Sequence, residues 1–215
     1  FIDDLMGAES NAENYLGIWF FDGQDELHPL VDFTTDMNSL HNGVDVIETN
    51  ISEDSSTDLF GAILKSTALA ESKLTEMELQ DILSAVSIIV FTDGTDQAAR
   101  YLRTDAVEAV RLASASIDYY TIGLGNEIDQ DVLDALGPKS SLSADNPDDL
   151  SVKFTEISDN IFNEANSFYL FEYCTPKRDG SGLNDLHIVA KKEDKEGRKI
   201  TTFDATGFTN DCDLD

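Results

Sequence analysis

Asp93 is the residue whose setting most clearly invites chemistry. It follows the run Val86–Phe91 in the stretch V-S-I-I-V-F-T-D-G-T-D. A short apolar run rich in β-branched residues, closed by turn residues, reads as a buried strand of a parallel sheet. A polar loop at the carboxyl end of such a strand is where open α/β sheets bind ligands. A carboxylate there has two uses. It can cap the next helix by accepting backbone N–H groups, or it can ligate a hard cation. Asp93 and Asp96 are both open to either use. A second polar loop, Thr49–Asp58, brings Thr57 and Asp58 to the start of another helical pattern.

Other chemistry is poorly supported. His28, His41 and His187 are scattered without metal-ligand spacing. Neither cysteine has a base close in sequence, and no nucleophile-elbow motif occurs. Gly123-Leu124-Gly125 lacks the third glycine of a dinucleotide fingerprint. A phosphatase-type D-x-D-G-T loop around Asp93 would need its nucleophilic aspartate two residues earlier, where Phe91 stands. An enzyme is therefore not expected.

The elements that must position Asp93 and Thr57 alternate along the chain. Helical ends or helices are expected at Phe1–Met6, Met37–Ile47, Leu59 to about Ala70, Glu76–Leu83, Gln97–Ala115, Asp129–Leu136 and Asp149–Ala165. Strands are expected at Tyr15–Phe21, Leu27–Phe33, Val86–Phe91, Asp118–Leu124 and Ser140–Ser143. Asp22-Gly23-Gln24-Asp25 makes a hairpin between the first two. Trp19 and Phe20 read as core residues of the first. Strands alternating with helices imply a three-layer, doubly wound, mostly parallel α/β sheet over residues 1–166. The pattern then changes. Phe168–Cys174, Asp185–Lys191 and Lys199–Ala205 are strands with no helix between them, and Lys192–Arg198 forms a charged hairpin tip. Residues 167–215 are thus expected to form a small antiparallel β appendage.

Composition narrows the partners. The 215 residues carry 43 Asp and Glu against 14 Lys and Arg, a net charge of −29. Such a surface repels nucleic acid and anionic membranes and favours cations and basic partners. Its plainest meaning is a well-solvated surface suited to a salty medium. No run of ~18 apolar residues is present to span a membrane. No signal-peptide pattern opens the chain, which starts inside an amphipathic helical pattern with apolar residues at positions 1, 2, 5 and 6. Cys174 and Cys212 both fall in the last quarter. Paired, they would staple the appendage and imply an oxidising compartment; two unrelated thiols are the other reading.

Three motifs in this order resemble the von Willebrand factor A (VWA) family. Ile88–Gly94, I-I-V-F-T-D-G, looks like that family's fourth strand and metal-site loop. Ser56-Thr57-Asp58-Leu59 resembles its threonine loop, and Tyr120–Gly125, Y-T-I-G-L-G, its fifth strand. The likeness covers residue 1 to about Ala165. It implies a metal-ion-dependent adhesion site built by three loops around a divalent ion, usually Mg²⁺ (Mn²⁺ or Ca²⁺ as substitutes). Thr57 matches the hydroxyl ligand and Asp93 the aspartate, with Asp58 and Asp96 as supporting candidates. The family's Asp-x-Ser-x-Ser loop is missing here; Asp179-Gly180-Ser181-Gly182-Leu183 lies in the appendage and reads as turn chemistry. A chain truncated ahead of its first strand is the simplest account, and it implies weak metal affinity. The tail, with Tyr173-Cys174-Thr175-Pro176 and Cys212, resembles those of exported bacterial VWA proteins. That likeness implies a Cys174–Cys212 disulfide and an extracellular or envelope location. The resemblance as a whole implies a protein-binding or adhesion module whose partner supplies a carboxylate to the ion. A structural VWA scaffold with an incomplete metal site, binding through other surfaces, is the alternative.

Overall fold

The computed structural model describes residues 1–7, 12–47, 49, 52, 54–125, 128–167, 174, 175, 177, 180 and 182–208. The chain divides into two compact units, Phe1–Phe168 and Tyr169–Asp215.

The first unit alternates helix and strand. Its elements are α1 (Ile2–Gly7), β1 (Leu16–Phe20), β2 (His28–Thr34), α2 (Met37–Ile47), α3 (Leu59–Glu78) and β3 (Val86–Thr92), followed by α4 (Arg103–Leu112), β4 (Ile117–Leu124), α5 (Gln130–Leu136), β5 (Ser140–Ala144) and α6 (Pro147–Ala165). Strands β3, β4 and β5 form a parallel sheet in that order, with Val86 opposite Ile117 and Tyr120 opposite Ser140. Strands β1 and β2 form a separate antiparallel pair.

Successive side chains of a strand point to opposite faces, and both faces of the parallel sheet are covered. Ile88, Val90, Ile117 and Tyr119 pack with Leu59 and Ile63 of α3 and Ala106 and Val110 of α4. On the opposite face Tyr120 and Ile122 pack with Ile157 of α6, with Ile89 and Phe154 at the margin. The result is the expected helix–sheet–helix arrangement, an α/β fold. Helix α6 begins where its sequence dictates. Asn146 Oδ1 accepts hydrogen bonds from the Asp148 and Asp149 amides at 2.9 and 3.1 Å, and Pro147 occupies the first turn.

Three expectations are corrected. The helix expected from Gln97 starts only at Arg103, because Asp96, Ala99 and Arg100 hold residues 95–100 as a loop; Ala99 adopts φ +51°. The two helices expected between Leu59 and Leu83 are one 20-residue helix ending at Glu78, since no glycine or proline interrupts its second half. In the second unit, β6 (Leu183–Lys192) and β7 (Lys195–Asp204) form an antiparallel ribbon with a two-residue turn, Glu193-Asp194, rather than a seven-residue tip. Glu193 takes φ +52° to close it. The strand expected over Phe168–Cys174 lies outside the described residues except for Cys174, and Cys212 lies outside them altogether.

Candidate metal-binding loops

Two loops meet at the carboxyl end of β3. The first, residues 54–58, leads into α3; the second, residues 93–100, leaves β3. Thr92 Oγ1 donates to the Gly94 carbonyl at 2.9 Å and accepts from the Gly94 amide at 3.2 Å, which folds the chain sharply after the strand. The Gln97 and Ala98 amides then both donate to the Thr57 carbonyl, at 2.8 and 3.0 Å. These bonds fix the threonine loop against the aspartate loop by backbone contacts alone.

The side chains follow from that backbone. A Cβ added to Gly94 would lie 3.4 Å from Thr57 Oγ1, so the Thr57 hydroxyl stands directly beside the Asp93–Gly94 peptide. Asp93 is exposed, and among the described residues its carboxylate makes no hydrogen bond or ion pair. The Thr57 hydroxyl is likewise without a hydrogen bond among them. Two hard oxygen donors, the Thr57 hydroxyl and the Asp93 carboxylate, therefore remain available on the two joined loops.

The two supporting candidates are engaged elsewhere. Asp58 is buried, caps α3 through the Gly61 amide at 3.2 Å, and lies 3.4 Å from the Lys65 ammonium. Asp96 accepts from the Phe60 amide at 3.1 Å and the Ala99 amide at 3.2 Å. Asp96 thus ties the aspartate loop to the first turn of α3, where a negative charge also suits the helix dipole. Lys65 bridges on to Asp25 at 2.6 Å, and Tyr101 donates to the same carboxylate at 2.9 Å. The Lys65 and Tyr101 hydrogen bonds hold the Asp25 carboxyl below its usual value.

A third loop was not legible as part of this assembly. Asp22, two residues after β1, is buried, and its carboxylate accepts from the Gln24 amide at 2.8 Å and from the Ser52 hydroxyl and the Asp54 amide, each at 3.3 Å. Its carbonyl accepts the Asp58 amide at 2.8 Å. Arg100 reaches back to donate to the Gly23 carbonyl at 2.7 Å. A Cβ on Gly23 would fall 1.8 Å from Ser56 Oγ and 2.5 Å from the Asp54 carboxylate, so a larger residue here would have to displace both side chains. Asp22-Gly23, which reads locally as a hairpin turn, is the foundation under the Thr57 loop.

The donor set fits a magnesium-type ion in kind but not in number. Mg²⁺ takes six oxygens in octahedral array and keeps several waters. Thr57 and Asp93 supply two oxygens of the right hardness. Among the described residues no three His, Cys, Asp or Glu side chains gather closely enough to hold an ion.

Comparison with known proteins supports the fold alone. No family model matches the chain, and no curated protein does. Among solved structures, a von Willebrand factor type A protein from Catenulispora acidiphila superposes with a TM-score of 0.54 at 10% identity, covering 95% of this chain and 48% of that one. Proximal thread matrix protein 1 from the mussel byssus gives 0.49 at 12% identity, covering 76% and 38%. An uncharacterized membrane-spanning protein from Vibrio fischeri gives 0.33 at 16%, covering 74% and 81%. The chain thus spans less than half the length of the first two. It has a VWA-like fold. No helix among the described residues is long and apolar enough to cross a membrane.

Proposed function

We propose that this chain is a protein-interaction module that recruits a weakly held divalent ion, Mg²⁺ by the hardness of the donors, between Thr57 and Asp93. The observation that carries this is a Thr57 hydroxyl beside Gly94 and, on the residue before that glycine, an exposed carboxylate, both without a hydrogen bond among the described residues, on two loops joined by backbone bonds at the carboxyl end of a parallel strand. Asp93 would hold the ion through its charge, directly or through a bound water. Thr57 would add a neutral oxygen. Few anionic ligands leave such an ion electrophilic, so it can take a carboxylate from a partner protein as a further ligand. The acidic surface then raises the local concentration of cations. The same reading places the module outside the cell or in the cell envelope of a bacterium and pairs Cys174 with Cys212. The alternative, a VWA-like scaffold that works without an ion, draws support from the backbone bonds of the Gln97 and Ala98 amides to the Thr57 carbonyl, which fix the two loops by themselves.

Calorimetric titration with MgCl₂ tests the proposal. Two protein oxygens predict a Kd on the order of 1 mM, at the weak end for oxygen-ligand sites. Asp93→Ala is expected to abolish the heat with the melting temperature unchanged. Equal heats from the two proteins would refute it.

A further inference from the structure

A cavity of about 210 Å³ opens between the first turn of α3, the loop after β3 and the start of α5. Leu59, Phe60, Ile128 and Val132 contribute to a mostly apolar lining, and Asp96 and Asp129 are the charged residues in it. The surrounding sequence fixes its shape. A Cβ on Gly123, near the end of β4, would fall 2.7 Å from Leu133 and 2.8 Å from Ile128, so the bare glycine lets both side chains pack onto the strand. Asp96 accepts the Phe60 amide at 3.1 Å, which ties the loop to α3. Pockets for drug-sized ligands start at about 300 Å³, so this one suits a single side chain.

The charge of the cavity is unbalanced. Among the described residues no basic residue lines it, and neither Asp96 nor Asp129 has an ion pair. Arg103, on α4, donates to the Asp131 carbonyl at 2.7 Å instead. Asp129 caps α5 by accepting the Asp131 amide through Oδ1 at 3.0 Å, and its Oδ2 has no hydrogen bond among the described residues. A carboxylate accepts up to about four hydrogen bonds, so Asp129 keeps most of its capacity. Asp129 is exposed and Asp96 half-buried, which sets the anionic groups toward the mouth. An apolar cavity with an anionic mouth suits a side chain with an apolar stem and a cationic head.

We infer that this cavity is a binding site for one arginine side chain of a partner protein. The methylene stem lies against Leu59, Ile128 and Val132, and the guanidinium meets the Asp129 carboxylate. Arginine fits better than lysine for two reasons. Its guanidinium is the more weakly hydrated cation, so it enters an apolar cavity at lower cost. It also stacks on aromatic rings, and Phe60 is part of the lining. The net charge of −29 draws a basic partner toward the surface in which the cavity opens. The inference goes beyond the ion reading and does not rest on it, because it uses neither Thr57 nor Asp93.

Amide spectra of the full ¹⁵N-labelled chain in EDTA test it, with the peptide acetyl-Gly-Arg-Gly-amide as probe. The Thr95, Ile128 and Val132 amides should shift together and saturate in the millimolar range. The same peptide with citrulline, which keeps the shape and loses the charge, should bind about fivefold more weakly, the scale of one partly exposed ion pair. Asp129→Asn should weaken arginine binding by a similar factor at an unchanged melting temperature, because asparagine caps a helix as well as aspartate does. Val132→Phe fills the cavity and should abolish the saturable shift. Shifts spread evenly over the acidic surface, no saturation at these three amides by about 20 mM peptide, equal binding of the citrulline peptide, or full binding by either variant would each overturn the inference. EDTA removes any divalent ion, so a Mg²⁺ titration that gives no heat leaves this result unaffected, and failure of the ion reading is distinguishable from failure of this one.

Discussion

Tyr120→Phe should stabilise the protein. Tyr120 is 1% exposed, at the centre of the cluster formed with Ile122 and Ile157, and its hydroxyl has no hydrogen-bond partner among the described residues. A buried hydroxyl without a partner costs about 1–3 kcal/mol relative to an apolar group of the same shape. Removing the oxygen keeps the ring and its packing, so the gain should fall in that range. For a chain of this size each kcal/mol raises the melting temperature by about 2–4 °C. The same residue sets an alkaline limit. Burial, with the Asp118 charge adding to it, pushes the Tyr120 hydroxyl from 10.0 up to about 12. A group whose folded pKa is raised contributes stability that is complete below its unfolded value and lost as pH rises toward the folded one. The loss therefore runs from pH 10 to 12, at about 1.4 kcal/mol per pH unit, or about 3 kcal/mol in all. Urea unfolding of both proteins at pH 7, 10 and 11.5 reads these effects. Tyr120→Phe should be the more stable at pH 7, and its advantage should widen at pH 11.5. A variant less stable than wild type at pH 7 by 1 kcal/mol or more would refute the reasoning, because it would mean that the hydroxyl is hydrogen-bonded.

Other predictions concern charge and loop packing. Lys139 pairs with both Asp118, at 3.1 Å, and Glu164. Its hydrogen bond holds the Glu164 carboxyl below its usual 4.5, so that stabilisation is present above this pH and lost as pH falls below it. Burial raises Asp118, which acts in the opposite sense and loses its contribution as pH rises. Lys139→Ala should therefore lower the melting temperature most at neutral pH, and less near pH 4 as the facing carboxylates take up protons; a pH-independent loss would count against the pairing. With a net charge of −29, the chain should gain thermal stability between 20 mM and 1 M NaCl as self-repulsion is screened, and scanning calorimetry finding no rise would contradict this. Gly23→Ala forces its methyl group into Ser56 and Asp54 and should destabilise the fold by about 1–3 kcal/mol, as overpacking does. Its amide spectrum should shift at Thr57, and a variant with unchanged Thr57 resonances would show that Asp22-Gly23 does not support that loop.

What the sequence disclosed was what is local. Val86–Thr92 announces a buried strand by its apolar run, and Thr92-Asp93-Gly94 announces the turn beyond it. Thr57 and Asp58 were placed by the helix they precede. Asp22 was not placed, because the contacts that give it meaning reach Ser52, Asp54 and Asp58, more than 29 residues away, and nothing in Asp22-Gly23 distinguishes a foundation from a hairpin turn. Residues 97–102 look helical by spacing, yet they are held open by a carboxylate that accepts the Phe60 amide and by an arginine that reaches Gly23. The ribbon turn is hidden because Lys192–Arg198 is charged at every position but Gly197 and shows no apolar alternation to mark where pairing stops.

The central claim is that Thr57 and Asp93 together hold a divalent ion. Residue-resolved paramagnetic broadening by Mn²⁺, with ¹⁵N-labelled protein and excess Mg²⁺ as competitor, tests it most directly. The account predicts that the Thr57, Asp93 and Gly94 amides broaden first, recover when Mg²⁺ is added, and stay sharp in Asp93→Ala. Broadening spread evenly over the acidic surface, or centred elsewhere and unchanged by Asp93→Ala, would contradict it.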